Sequence, residues 1–216
     1  MLRDRRDRWK LHSLLVSLLL AISALLAHAG QLAIDTLPAR AGQLTIDLDT
    51  SRTQIAFTVK DVLHTVHGTF QVKEGHLIVD AGTGAMSGNI VVNAASGNSG
   101  SPARDKRMTR DILQAHQFPE IRFDPSSATG SIQPDHASDI QVTGLFLIHG
   151  QSHKIRIPMH VQLSATEVIA TGMFEVPYVA WGLKNPSTFL LKVNDSVQID
   201  VKAVGHITQP GLMVSQ

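Results

Sequence analysis

The side chains able to do chemistry are scattered along this 216-residue chain, and the densest group is Arg104-Asp105-Lys106-Arg107, followed by Arg110-Asp111. Arginine offers a forked pair of donors that suits a phosphate or carboxylate, so this group is a candidate clamp for a polar head. The plainer account is the solvated start of a helix, with Asp105 near the N-terminal end where a negative charge is favoured. Of the eleven histidines, His64 and His67 stand three apart, which on a strand turns them to opposite sides, and His149 and His153 flank a turn. No His-x-His pair, acidic cluster or zinc-protease helix accompanies them, so no metal site is expected.

Nucleophilic and acid–base chemistry find no better footing. There is no Gly-x-Ser-x-Gly elbow among the serines, and there are no cysteines. That absence rules out a thiol nucleophile, a thiolate metal site, a lipid-modified cysteine and a disulfide framework. Asp47 and Asp49 share one face of a strand, but their neighbour Thr45 marks it as an ordinary wet face. The expectation is a protein that is not an enzyme and uses no cofactor. Trp181-Gly182-Leu183-Lys184-Asn185-Pro186-Ser187 is the most individual stretch. It reads either as a lid, with Trp181 against lipid and Lys184 near a polar head, or as a stiff turn whose tryptophan plugs the core.

These residues must be held by strands. Ile155, Ile157, Met159, Val161 and Leu163 alternate with Lys154, Arg156, Pro158, His160 and Gln162, a period of two that gives one aliphatic face and one mostly polar face. Ile140, Val142, Gly144, Phe146 and Ile148 repeat the pattern upstream, and the intervening His149–His153 makes the pair a hairpin. Similar runs cover 44–48, 54–60, 66–72, 76–79, 88–94, 120–123, 167–176 and 196–207, with Glu74-Gly75 expected to turn the chain. The count is eight or nine strands, an all-β sandwich or barrel. Gly68, Gly144, Gly172 and Gly205 fall on the apolar phase, where a missing side chain allows a bend or leaves interior room, and this favours the barrel. One short surface helix is expected over 104–116, stopped near Phe118-Pro119. Residues 124–139, with two prolines, are expected as an outer linker, and 208–216 as a flexible tail.

The N-terminus reads as an export signal. Five basic residues in the first ten are followed by the apolar run 14–26 and by Ala27-His28-Ala29, a signal-peptidase site. The run is shorter than the ~20 residues a membrane span requires. Ala27–Leu32 is echoed at Ala39–Leu44 with the same Ala-x-Ala-Gly-Gln-Leu pattern, so two processing sites are available, of which the first adjoins the apolar run. The domain plan is therefore a signal peptide over 1–29, an extension over 30–42, a barrel over 43–207 and a tail, in a periplasmic or secreted protein. The leader holds five of the 19 basic residues and two of the 18 acidic ones, leaving a slightly acidic remainder without a basic cluster. Nucleic-acid binding, which needs concentrated Lys and Arg, is excluded.

Several strings occur in an order and spacing similar to one family. Ile46-Asp47, Thr53-x-Ile55-x-Phe57-x-Val59 and Gly68-Thr69-Phe70 are followed by Arg104-Asp105 and Phe118-Pro119-Glu120-Ile121-Arg122-Phe123. Val142–Gly150 and Val193–Ile199 complete the series. Together they resemble YceI-like domains, the polyisoprenoid-binding, lipocalin-like family, over 43–207. Arg52 departs from that pattern, standing where the family usually shows histidine. The resemblance implies an eight-stranded antiparallel barrel that is exported and encloses one amphipathic isoprenoid lipid, of the quinone or polyprenyl phosphate class, for carriage or storage. By alternation, Ile55, Phe57, Val59, Phe70, Val142, Phe146, Ile157, Met159, Val161 and Phe174 are expected to face inward as the apolar lining. Arg104, Asp105, Trp181 and Lys184 are expected at the mouth or against the head group. Transient membrane contact and pairing of chains are both open on the sequence. The alternatives are an enzyme acting on a lipid or quinone inside the barrel and an envelope interaction module with a filled core.

Overall fold

In the computed structural model of the protein, the described residues are 42–61, 64–132, 136–189 and 192–208. The expected signal peptide, both Ala-x-Ala sites and the tail beyond 208 lie outside them. Ten strands form one antiparallel sheet: β1 (Gln43–Leu48), β2 (Gln54–Lys60), β3 (Thr65–Phe70), β4 (Val72–Asp80), β5 (Met86–Asn93), β6 (Glu120–Thr129), β7 (Ala137–Ile148), β8 (Gln151–Leu163), β9 (Glu167–Val176) and β10 (Val197–Thr208). The pairing reduces ten segments to eight strand positions. β10 pairs with β2 through Gln198–Lys202 and with β1 from Gly205 onward, so β1 and β2 lie end to end as one interrupted strand. β3 and β4 form a second such strand, β3 beside β2 and β4 beside β1. From β4 each strand pairs with the next as far as β10, and the β1–β10 pairing closes the ring. This is the expected eight-stranded antiparallel barrel, and closure removes the edges that an open sheet would expose.

Local chemistry explains the interruption between β1 and β2. The Asp49 carboxylate accepts from the backbone N–H groups of Ser51 (3.0 Å) and Arg52 (3.2 Å) and from the Ser51 hydroxyl (2.6 Å). A short polar side chain capping the following backbone in this way makes a turn. Thr53 Oγ1 then accepts from Val204 N–H (3.1 Å) and donates to Val204 O (3.3 Å), seating the detour on β10. Val204 is buried beneath it. The β7–β8 hairpin closes through His149 (φ 51°) and Gly150 (φ 75°), a pair of left-handed residues whose twist matches the flanking strands.

Four expectations need correction. The chain does not turn at Glu74-Gly75: β4 runs straight through, with a register shift between Val72 and Glu74, and the break falls at Gln71. Residues 124–129 are not linker but the second half of β6, paired with Leu145–Gln141 of β7. A bulge between Pro125 and Ser127 admits the proline, whose missing N–H would spoil a regular ladder. The helix α1 spans Pro102–Arg107 and continues as one wide turn, Met108–Ile112, closed by Leu113 N–H to Met108 O at 2.9 Å. Proline in its first turn sets the start, because no N–H is needed there. Finally, the four inward glycines do not leave empty room. Their space is taken by the Phe57 ring at Gly68, the Phe123 ring at Gly144, Met159 at Gly172 and Ile46 at Gly205.

The core has two parts, one toward each end of the barrel. Toward the helical end, Val92, Leu113, Ala115, Ile121, Ile148, Val176, Tyr178 and Leu183 are buried together. Toward the other end lie Ile46, Leu77, Val79, Ile140, Val142, Val161 and Val168.

Candidate functional site: an apolar cavity inside the barrel

Alternation places one side chain in two on the inner face of every strand, and these inner side chains do not fill the barrel. They surround a cavity of 320 Å³. β8 alone has 13 residues, about 43 Å of strand at roughly 3.3 Å each, which at a tilt of about 40° makes the barrel about 33 Å tall. The lining draws on both core regions, from Leu44, Met86, Ala128, Ile132 and Leu163 at one end to Met108, Ile112, Leu113, Leu183, Pro186 and Val193 at the helical end. Ile132 is 38% exposed, so the wall reaches solvent beside the β6–β7 connection.

All ten side chains expected to face inward do line this cavity. Phe57 and Phe70 pack at 5.4 Å between ring centres, and Phe146 meets Phe174 edge-on at 6.0 Å, so the aromatic part of the wall is held by ring–ring contact. Ala170 and Ala203 are direct neighbours across β9 and β10 and both line the cavity, so small side chains keep that sector open. Among the described residues, Arg122 and Tyr178 are the lining residues with polar side chains. Arg122 is tied to Asp124 at 2.8 Å, and the Tyr178 hydroxyl donates to Asn194 O at 2.6 Å. Burial, with a smaller contribution from Asp195, pushes the Tyr178 phenol up to about 12. No histidine or carboxylate belongs to the described wall, and its apolar side chains offer hydrocarbon contact in place of water.

The four residues expected at the mouth lie off the cavity wall. Arg104 Nε donates to Ser99 Oγ at 3.0 Å, and the Asp105 carboxylate accepts from Ser99 N–H (2.8 Å) and the Ser99 hydroxyl (2.5 Å). Both therefore tie α1 to the loop before it. Trp181 stacks on His153 at 4.0 Å with planes 4° apart and touches Phe146 at 5.8 Å, which makes it a plug behind the wall. Lys184 is exposed beside Arg110, Asp111 and Gln114.

α1 lies on the surface as expected, and what sequence reasoning missed is the inner face of the turn that continues it. Met108, Ile112 and Leu113 close one end of the cavity, and their helical spacing was the available signal. It also missed the aromatic use of two histidines, His149 against Phe118 at 4.5 Å and His153 against Trp181. Other histidines sit in cross-strand pairs, His76 with Asp47 at 2.6 Å and His160 with Asp139 at 2.9 Å. Among the described residues no group of three or more His, Asp or Glu side chains is arranged to hold a metal. Arg52, the departure from the family pattern, reaches Glu167 at 2.5 Å.

A family model for the YceI-like domain matches residues 46–205. Among solved structures, a polyisoprenoid-binding domain from Saccharophagus degradans implicated in plant cell wall breakdown is 13% identical, with a TM-score of 0.59 over 76% of this chain and 98% of its own. BcnA of Burkholderia cenocepacia is 20% identical, with a TM-score of 0.59 over 73% and 99%. The YceI protein of Campylobacter jejuni is 14% identical, with a TM-score of 0.56 over 67% and 86%. At these identities the likeness establishes the fold. Among curated proteins the chain finds no match.

Proposed function

Because the chain belongs to the YceI-like family, we propose that it is an exported binding protein that carries or stores one long isoprenoid-type lipid, a quinone or polyprenyl phosphate, with the tail inside the barrel. The observation that supports this reading is the cavity itself, 320 Å³ walled by aliphatic and aromatic side chains. Its size falls within the range of small-molecule sites, roughly 300–1,000 Å³. Each buried methylene contributes about 0.8 kcal/mol, so some twenty buried carbons supply about 16 kcal/mol. Association and ordering oppose that by about 4–15 kcal/mol. The surplus, about 1–12 kcal/mol, brackets the roughly 8 kcal/mol of micromolar binding and needs no hydrogen bond to the wall.

Export is the reading that the basic N-terminus and apolar run 14–26 support, and a periplasmic or secreted location follows from it. A binding role is supported by a lining that is almost wholly apolar, its polar side chains Arg122 and Tyr178 being tied to Asp124 and to Asn194 O. The polyisoprenoid-binding domain of similar fold supports the choice of ligand class.

The test is direct. Protein purified from its own host is extracted with organic solvent and the extract analysed by mass spectrometry. An isoprenoid lipid in near-stoichiometric amount is the expected result. A lipid-free extract, or one containing only straight-chain lipids of the host membrane, would overturn the ligand class.

A further inference from the structure

We infer that the helical end of the barrel docks on an anionic lipid bilayer, with Phe189 entering the acyl region and the surrounding cations meeting the head groups. Phe189 is 95% exposed, whereas the other large exposed apolar side chains among the described residues do not exceed 54%. A fully exposed aromatic has no packing role in the fold. It gains free energy only when another apolar medium covers it.

The charge around it supplies the choice of medium. Arg107 donates to Pro186 O at 3.0 Å, which joins α1 to the loop that bears Phe189. On that end Arg104, Lys106, Arg107, Lys184 and Lys192 are exposed cations. The acids on that end, Asp61, Asp105, Asp111 and Asp195, are fewer than these cations. Asp105 is held by Ser99, Asp111 by Arg110 at 2.6 and 2.8 Å, and Asp195 by Asn185 at 2.7 Å. The turns 81–85 and 164–166 at the opposite end contain neither lysine nor arginine. An apolar tip within a basic surround fits an anionic membrane, where buried apolar area and electrostatic attraction add.

The same end is continuous with the cavity, because Pro186 and Val193 belong to both the loop and the cavity wall. The inference adds a partner surface to the proposed lipid carrier, yet its test involves no cargo and stands or falls separately from the ligand.

The chain contains no cysteine, so Phe189→Cys and Ala81→Cys each give a single attachment point for an environment-sensitive fluorophore, at opposite ends of the barrel. With phosphatidylcholine vesicles containing phosphatidylglycerol, the label at 189 is expected to shift blue and be quenched by brominated lipid, while the label at 81 stays in water. In unlabelled protein, Phe189→Ser should weaken vesicle binding at least about tenfold. Lys106→Gln and Lys184→Gln should each weaken it about fivefold, and binding should fall as salt rises. Quenching at 81 instead of 189, no binding to the anionic vesicles, or binding that is indifferent to Phe189→Ser would overturn the inference. Circular dichroism of each variant confirms the fold before binding is compared.

Discussion

Small residues set the bore of the barrel. Ala170 and Ala203 leave room in the wall that a larger pair would occupy, so Ala203→Phe is expected to fill empty space rather than displace packed atoms. Displacement of a fluorescent prenyl probe should show affinity reduced at least tenfold, while thermal unfolding shows a stability change within about 1 kcal/mol, since overpacking strain needs a filled site. Unchanged affinity would mean that ligand does not pass that sector. At the surface, Arg52 donates to Glu167 and holds its carboxyl below the usual range, and the Ser51 hydroxyl does the same for Asp49. A carboxyl depressed in the folded state contributes stability above its unfolded pKa, about 4.3 for Glu, and loses it as pH falls through the folded value. The melting temperature should therefore drop on acidification below about pH 4 and drop less steeply in Glu167→Gln. An identical slope in the variant would assign the acid sensitivity elsewhere.

Among the elements, the segment 177–188 between β9 and β10 does the most to finish the barrel. Tyr178 and Leu183 are buried in the core region at the helical end, and Trp181 seals His153 and Phe146 from behind. Tyr178 is the chain's single tyrosine, so absorbance titration of phenolate reads this segment alone. Burial raises its pKa to about 12, against about 10 in an unfolded chain. The stability it contributes is complete below pH 10 or so and disappears as pH rises toward 12. A folded-state midpoint near 10 would show that the segment leaves the phenol in water. Alternation made β7, β8, β9 and β10 legible because each has one wet and one dry face. The second half of β6 was not legible, since Pro125 and two serines mimic a linker and only pairing with β7 reveals the bulge. The inner face of the turn that continues α1 was hidden for a related reason: Met108, Ile112 and Leu113 announce an apolar stripe without saying what it covers.

Considered as a whole, the molecule combines a closed ring of strands with an interior that its own side chains leave partly empty. The inward set was readable residue by residue because strand periodicity alone decides which face a side chain takes. The emptiness was not readable, because it depends on how far opposite walls stand apart. The glycines taken as a sign of space are occupied by Phe57, Phe123, Met159 and Ile46, and the open volume arises from the girth of an eight-strand ring instead. The central claim is that this volume shelters a hydrocarbon tail, and calorimetric titration of lipid-stripped protein with prenyl alcohols of increasing length tests it most directly. Affinity should rise about tenfold or more with each added isoprene unit until the cavity is full and then level off, with a negative heat-capacity change throughout. Affinity independent of chain length, or no binding of any member of the series, would contradict it.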